Sequence, residues 1–160
     1  MLKVRDIIRE IEQVAPLSLQ ESYDNAGVQI GNVNQNATGA LLCLDVTEEV
    51  VDEAIDCDCN LIISHHPLAF HPFKSFTGKT YIERCMIKAC KHDIVLYAAH
   101  TNLDNAEGGV NYKLAEIIGL QNVRILSPKT DGLLKLVAFV PESYAEIVRT
   151  TLFNAGAGCV

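Results

Sequence analysis

At 160 residues, 49% of them hydrophobic and 21% charged, the chain can bury one ordinary core, and its composition is globular, not disordered. A formal net charge of -7, with 13 scattered basic residues and no basic run, argues against a nucleic-acid surface and gives no attraction to anionic lipid. No stretch approaches the roughly 20 apolar residues of a membrane span, and the N-terminus lacks an uninterrupted signal core, so a cytoplasmic protein with free thiols is expected.

Leu2, Val4, Ile7, Ile8, Ile11 and Val14 recur at helical spacing, and Pro16 closes the helix they predict. Residues 18 to 36 read as loop with a short strand near Val28–Ile30. Ala40 to Val46 reads as a buried strand. Thr47 then supplies an N-cap, Glu48 and Glu49 suit the first turn, and Val50, Val51, Ala54 and Ile55 form the inward face. Cys57-Asp58-Cys59 is a close pair without a second pair of structural-zinc spacing, and is read as incidental. Leu61-Ile62-Ile63 is a second buried strand ending at Ser64-His65-His66-Pro67, followed by a loop carrying Phe70, Phe73 and Phe76. A helix from about Lys79 to Lys91 leads to a third strand, Ile94 to Ala98, which ends at His100. Gly108-Gly109 opens a helix terminated by Gly119 and offers a weak anion site through free N–H groups. After Pro128 the character changes: Leu133 to Val140 reads as a strand, and Ser143-x-x-Glu146 as a capping box opening a helix to about Asn154.

Strands written as apolar runs and alternating with helices predict an α/β domain over 1–128, with a mostly parallel or mixed sheet flanked by helices. Residues 129–160 read as the beginning of a small α+β inserted domain. A parallel sheet places its ligand site beyond the carboxyl ends of its strands, and Asp45, His65, His66, His100 and Asp104 all fall at or just after those ends.

Neighbouring side chains on a strand face opposite ways, so His65 and His66 share a site only if Pro67 lets the backbone turn; each imidazole could then serve a different metal. The bland alternative has one histidine in the core and the other in solvent. Asp104 is a natural carboxylate partner to imidazole at zinc, iron or manganese, or else a helix cap. His100 either ligates or accepts a proton beside the metal centre, as a catalytic residue. Asp45 either holds a histidine tautomer or caps the next helix. His71 and His92 read as surface or loop residues.

At these residues the chain resembles the NIF-three-like dinuclear metal-centre proteins, commonly labelled GTP cyclohydrolase I type 2 homologs. The likeness runs through Tyr23-Asp24-Asn25-Ala26-Gly27-Val28-Gln29-Ile30-Gly31, Cys43-Leu44-Asp45-Val46-Thr47, Ser64-His65-His66-Pro67-Leu68, His100-Thr101-Asn102-Leu103-Asp104 and Gly108-Gly109-Val110-Asn111. The resemblance implies two divalent cations, with His65 and Asp104 on one and His66 on the other. It also implies a further histidine and a bridging glutamate from a C-terminal His-x-x-x-Glu segment, which this sequence does not contain, since His100 is its last histidine. The chain is thus similar to the N-terminal part of a longer protein and carries three of five expected ligands. A ring-shaped homohexamer and hydrolytic opening of a guanine ring are further implications.

The resulting expectation is a metal-dependent hydrolase acting on GTP or a related small nucleotide, with His100 moving protons and Asp24 or Asn25 orienting the substrate. A two-metal phosphoesterase is the enzymatic alternative. A non-catalytic regulatory or scaffold protein, capturing a partner through Phe70, Phe73 and Phe76, is the alternative of another class.

Overall fold

The computed structural model describes residues 1–127 and 135–158. The chain splits into two compact units, Met1–Val123 and Arg124–Val160.

In the first unit, α1 (Val4–Val14) is entered at Lys3, whose backbone N–H donates to the Asp6 carboxylate at 3.0 Å. Four short strands make one sheet: β1 (Gly27–Ile30), β2 (Ala40–Cys43), β3 (Leu61–Ser64) and β4 (Val95–Ala98). Their order is β1-β4-β3-β2, with β2, β3 and β4 parallel and β1 antiparallel to β4. In register, Cys43 sits beside Ser64, and Ser64 beside Ala98. The three carboxyl ends therefore finish level, and whatever follows them is delivered to one edge.

Period-two alternation divides the strand residues between two cores. Ile62 and Leu96 pack with Val51 and Ala54 of α2 (Glu48–Asp56) and with Cys85, Met86 and Ala89 of α3 (Tyr81–Lys91). Leu61, Val95 and Tyr97 pack on the opposite face against Val4 and Ile8 of α1. Cover on both faces is why β3 and β4 are uninterrupted apolar runs. Thr47 and Thr80 cap α2 and α3, accepting from Val50 N at 3.3 Å and Glu83 N at 3.2 Å. The helices are joined side by side by Arg84–Glu48 and Lys88–Asp52 ion pairs, both at 2.8 Å.

One expectation needs correction here. The strand expected over Ala40–Val46 stops at Cys43 and is an edge strand, not a buried one. Only one side of β2 is covered, so Leu42 is 75% exposed. The segment after His100 forms a short helix, α4 (Thr101–Asn105). Its fully buried Asn102 accepts from His100 N at 2.9 Å and donates to Ala15 O, just past α1, at 2.7 Å. Helix α5 (Val110–Ile117) follows Gly109, where an added Cβ would lie 2.0 Å from Leu103 O. The Gly109 N–H is engaged by Ala106 O at 3.0 Å, which removes it from the suggested anion site.

The second unit contains α6 (Ala145–Asn154). Leu133 and Leu134 lie outside the described residues, and residues 135–140 are not a strand: Leu136 and Phe139 are exposed, and no strand among the described residues pairs with them. The capping box is absent too. Helix α6 begins at Ala145 without a side-chain cap, and Glu146 pairs instead with Arg149 at 2.6 Å.

Two residues carry predictions for the first unit. Replacing Asn102 by alanine strands the buried Ala15 carbonyl and His100 N–H, and is expected to cost about 1–3 kcal/mol in denaturant unfolding; a loss below about 0.5 kcal/mol would contradict the assignment. The buried Glu83 carboxylate accepts from Thr77 N at 2.8 Å, Thr77 Oγ1 at 3.1 Å and Lys79 N at 3.2 Å. The Thr77 N–H, ahead of its other donors, holds Glu83 below the usual carboxylate range. A depressed carboxyl stabilises the fold above its unfolded pKa, and that contribution disappears as pH falls through its folded value. The Glu83→Gln variant should therefore melt earlier than wild type at about pH 7, with the gap closing as pH falls below the ordinary glutamate range. A gap that stays constant with pH would refute the charge-based reading.

Candidate metal centre

The level strand ends bring His65, His66 and His100 together. Their ring centroids are 5.0 Å apart for His65 and His66, 5.3 Å for His65 and His100, and 5.7 Å for His66 and His100. Among the described residues these three form a group able to hold a metal ion, with one ligand atom of each lying within 4.8 Å of the others.

How two adjacent histidines reach one side is visible in the backbone. His65 N donates to Cys43 O at 3.2 Å and His66 N to Leu44 O at 3.0 Å. Successive N–H groups of a straight strand point to opposite neighbours, so two donations to the same neighbour mark the turn ahead of Pro67. Ser64 Oγ fastens it by donating to His66 O at 2.8 Å.

Each imidazole has its Nδ1 committed. His65 Nδ1 meets Ala99 O at 2.8 Å, His66 Nδ1 meets Asp45 Oδ1 at 2.7 Å, and His100 Nδ1 meets Asp24 Oδ1 at 2.8 Å. All three partners are acceptors, so Nδ1 carries the proton and the lone pair resides on Nε2. This is the arrangement by which outer acceptors set tautomer and ring orientation at metal-ligating histidines. Asp104, on α4, places Oδ1 3.7 Å from His65 Nε2. Two ligands each about 2.0–2.2 Å from one ion span a similar gap.

Asp24 is the most enclosed of the acidic groups here, with no side-chain surface exposed. Burial pushes its carboxyl upward, but hydrogen bonds from His100, Thr101 and Asn25 outweigh that and leave it below the ordinary value. Its donors besides His100 are Thr101 Oγ1, Thr101 N at 3.1 Å and Asn25 N at 2.7 Å. Asp24 is therefore anionic and fixed, well suited to hold the His100 proton on Nδ1. Asp45 does the same for His66 from an exposed position, while Thr47 caps α2.

Asn25 stands apart from the rings: its side chain donates to Ala69 O at 2.6 Å. Cys43, at the end of β2, is no thiolate, because burial and then the Asp45 charge push its thiol up to about 11. His71 and His92 are exposed, as expected. Three contributors went unrecognised in the sequence. The Ala99 carbonyl leaves no trace in residue type, whereas Thr101 and Asn102, both polar and directly after His100, carried a readable signal.

The profile of the Duf34/NIF3 family (NGG1p interacting factor 3) matches residues 2–157. The chain is 45% identical over 153 residues to a "GTP cyclohydrolase 1 type 2 homolog" of Halalkalibacterium halodurans, covering 95% of this chain and 41% of that protein. It is also 45% identical over 155 residues to the Bacillus subtilis protein of the same description, covering 96% and 42%. A Bacillus cereus protein related to NIF3 superposes with a TM-score of 0.75 at 42% identity, covering 98% of this chain and 44% of its own. The chain thus spans about two-fifths of the length of the curated relatives it matches. It belongs to the Duf34/NIF3 family.

Proposed function

We propose that the strand-end cluster binds divalent cations and that the protein is a metal-dependent hydrolase of a small, nucleotide-like substrate. The observation that carries this reading is the shared tautomer: three imidazoles with Nδ1 engaged by acceptors and Nε2 free to donate a lone pair. Imidazole with carboxylate suits zinc, iron or manganese. Two ions are proposed, His65 and Asp104 serving one and His66 the other, as the resemblance implies. A bound divalent cation supplies the positive charge that acidifies water and polarises a substrate oxygen.

The chain's own residues then divide the work. Asp45 keeps His66 in its ligating tautomer. His100 accepts a proton at Nε2, and Asp24, anionic and enclosed, stabilises the imidazolium that results. GTP is the first substrate to test, because relatives carry a GTP cyclohydrolase description. The scaffold reading gains no support from the phenylalanine loop, since Phe73 packs against the core and lies 4.9 Å from the Phe76 ring.

Two measurements check the proposal. Calorimetric titration with zinc should reveal binding that the double variant His65→Ala/His66→Ala abolishes and that Asp45→Asn weakens about 10–100-fold; unchanged affinity in the double variant would remove the site. In the metal-loaded protein, His100→Ala should retain zinc while turnover of GTP falls about 10²–10⁴-fold. Loss of zinc in that variant would make His100 a ligand instead of the base. Zinc-loaded wild type that turns over neither GTP nor a generic phosphoester would end the hydrolase assignment.

A further inference from the structure

Beside the histidines stand two aromatic rings that the fold holds in place without burying. Tyr23 is 66% exposed and Phe70 39% exposed, with ring centroids 6.5 Å apart and planes inclined at 44°. Phe70 also lies 6.4 Å from the His100 ring, edge to face, so it borders the candidate metal centre directly and Tyr23 reaches it through Phe70. Phe73 and Phe76 behave differently, since their rings approach to 4.9 Å and Phe73 rests on the core.

Exposed aromatic side chains are ordinarily free to reorient, but the backbone beneath these two is fastened at several points. Ala69, next to Phe70, is gripped through both its main-chain groups: its carbonyl accepts from Asn25 Nδ2 at 2.6 Å and its N–H donates to Gln29 Oε1 at 3.1 Å. Gln29 Nε2 in turn donates to Asn25 O at 2.6 Å. Two side chains from the segment carrying Tyr23 thus clasp the loop carrying Phe70. Tyr23 directly precedes Asp24, whose carboxylate is locked to His100 and Thr101. Both rings are therefore indexed to the same histidine.

We infer that Tyr23 and Phe70 form a stacking wall that seats the planar heteroaromatic ring of the substrate beside the histidine cluster. This rests on the reading of the cluster as a hydrolytic metal centre and adds to it the recognition of the ring. Two uncharged aromatic faces offer dispersion and π contact to any planar base without reading its hydrogen-bonding edge. A ring on this wall would hold the rest of a nucleotide next to the strand ends, where anionic oxygens meet the cations. Asn25 and Gln29 are positioning residues in this account, acting through Ala69.

The test uses the zinc-loaded chain, titrated with GTP and with inorganic triphosphate, which carries the anion but no ring. Wild type should bind GTP at least about tenfold more tightly than triphosphate. Phe70→Ala and Tyr23→Ala should each erode that preference several-fold while leaving triphosphate affinity and zinc content unchanged, and Phe70→Tyr should retain it. Both positions are exposed, so thermal melting of the alanine variants should match wild type. Equal affinity for GTP and triphosphate in wild type, absence of binding by either, or a preference untouched in both alanine variants overturns the wall. Equal loss of both ligands in the alanine variants overturns it as well, since it would mark damage to the anion site. A chain that prefers GTP yet holds no zinc would uphold the wall while sinking the metal centre.

Discussion

Two adjacent histidines on a straight strand face opposite sides of the sheet, and a shared site at His65 and His66 exists only because the backbone turns between them. The turn is made against β2: both histidine N–H groups donate to its continuation, at Cys43 O and Leu44 O. This requires β2 to lie parallel to β3 in a register that lets it run on past Ser64. The exposed outer side of β2 is thus compatible with its role. Its inner edge supplies acceptors that orient the histidines, while Leu42 on its far side contributes little. The parallel register of β3 with β4 adds the third ring by placing Ala98 beside Ser64, two residues before His100.

The partners of the three imidazoles are not equivalent. His65 is held by a neutral carbonyl, His66 by a carboxylate that is largely solvated, and His100 by one with no exposed surface. A carboxylate on Nδ1 raises the basicity of Nε2 more than a carbonyl does, and solvent screens that influence where the carboxylate is exposed. His100 therefore has the most enclosed charged partner of the three, whereas His65 has a carbonyl partner with Asp104 nearby. This asymmetry distinguishes members of a cluster that look alike in sequence.

The strand ends were legible because β3 and β4 are covered on both faces and so appear as apolar runs stopped by polar residues and Pro67. The candidate site residues could be picked out for the same reason, since Asp45, His65, His66 and His100 follow closely where such runs stop and Asp104 comes one helical turn later. Strand β1 could be anticipated near Val28–Ile30, but its antiparallel pairing with β4 could not, because four residues carry no mark of direction. The extent of β2 was overestimated, since apolar composition does not distinguish a strand covered on one side from one covered on both. The described part of that expected strand, residues 135–140, misled in the same way: a strand-like composition forms no strand without a neighbour to pair with. Contacts made through main-chain atoms, such as Ala99 O to His65 and Gln29 to Ala69, have no sequence signature at all.

The loop after β3 unites these constraints. At its far end Glu83 accepts the Thr77 and Lys79 N–H groups, fixing residues 77–79 to the start of α3. At its near end Asn25 and Gln29 hold Ala69. Between them Phe73 is drawn onto the core, which leaves Phe70 beside His100 with its backbone pinned and its ring partly exposed. A loop fastened at both ends loses little additional entropy when a ligand settles on it, so its contacts with that ligand are offset less by ordering. Asn25, Gln29, Phe73 and Glu83 thus hold the loop beside the histidine cluster in place without relying on a ligand.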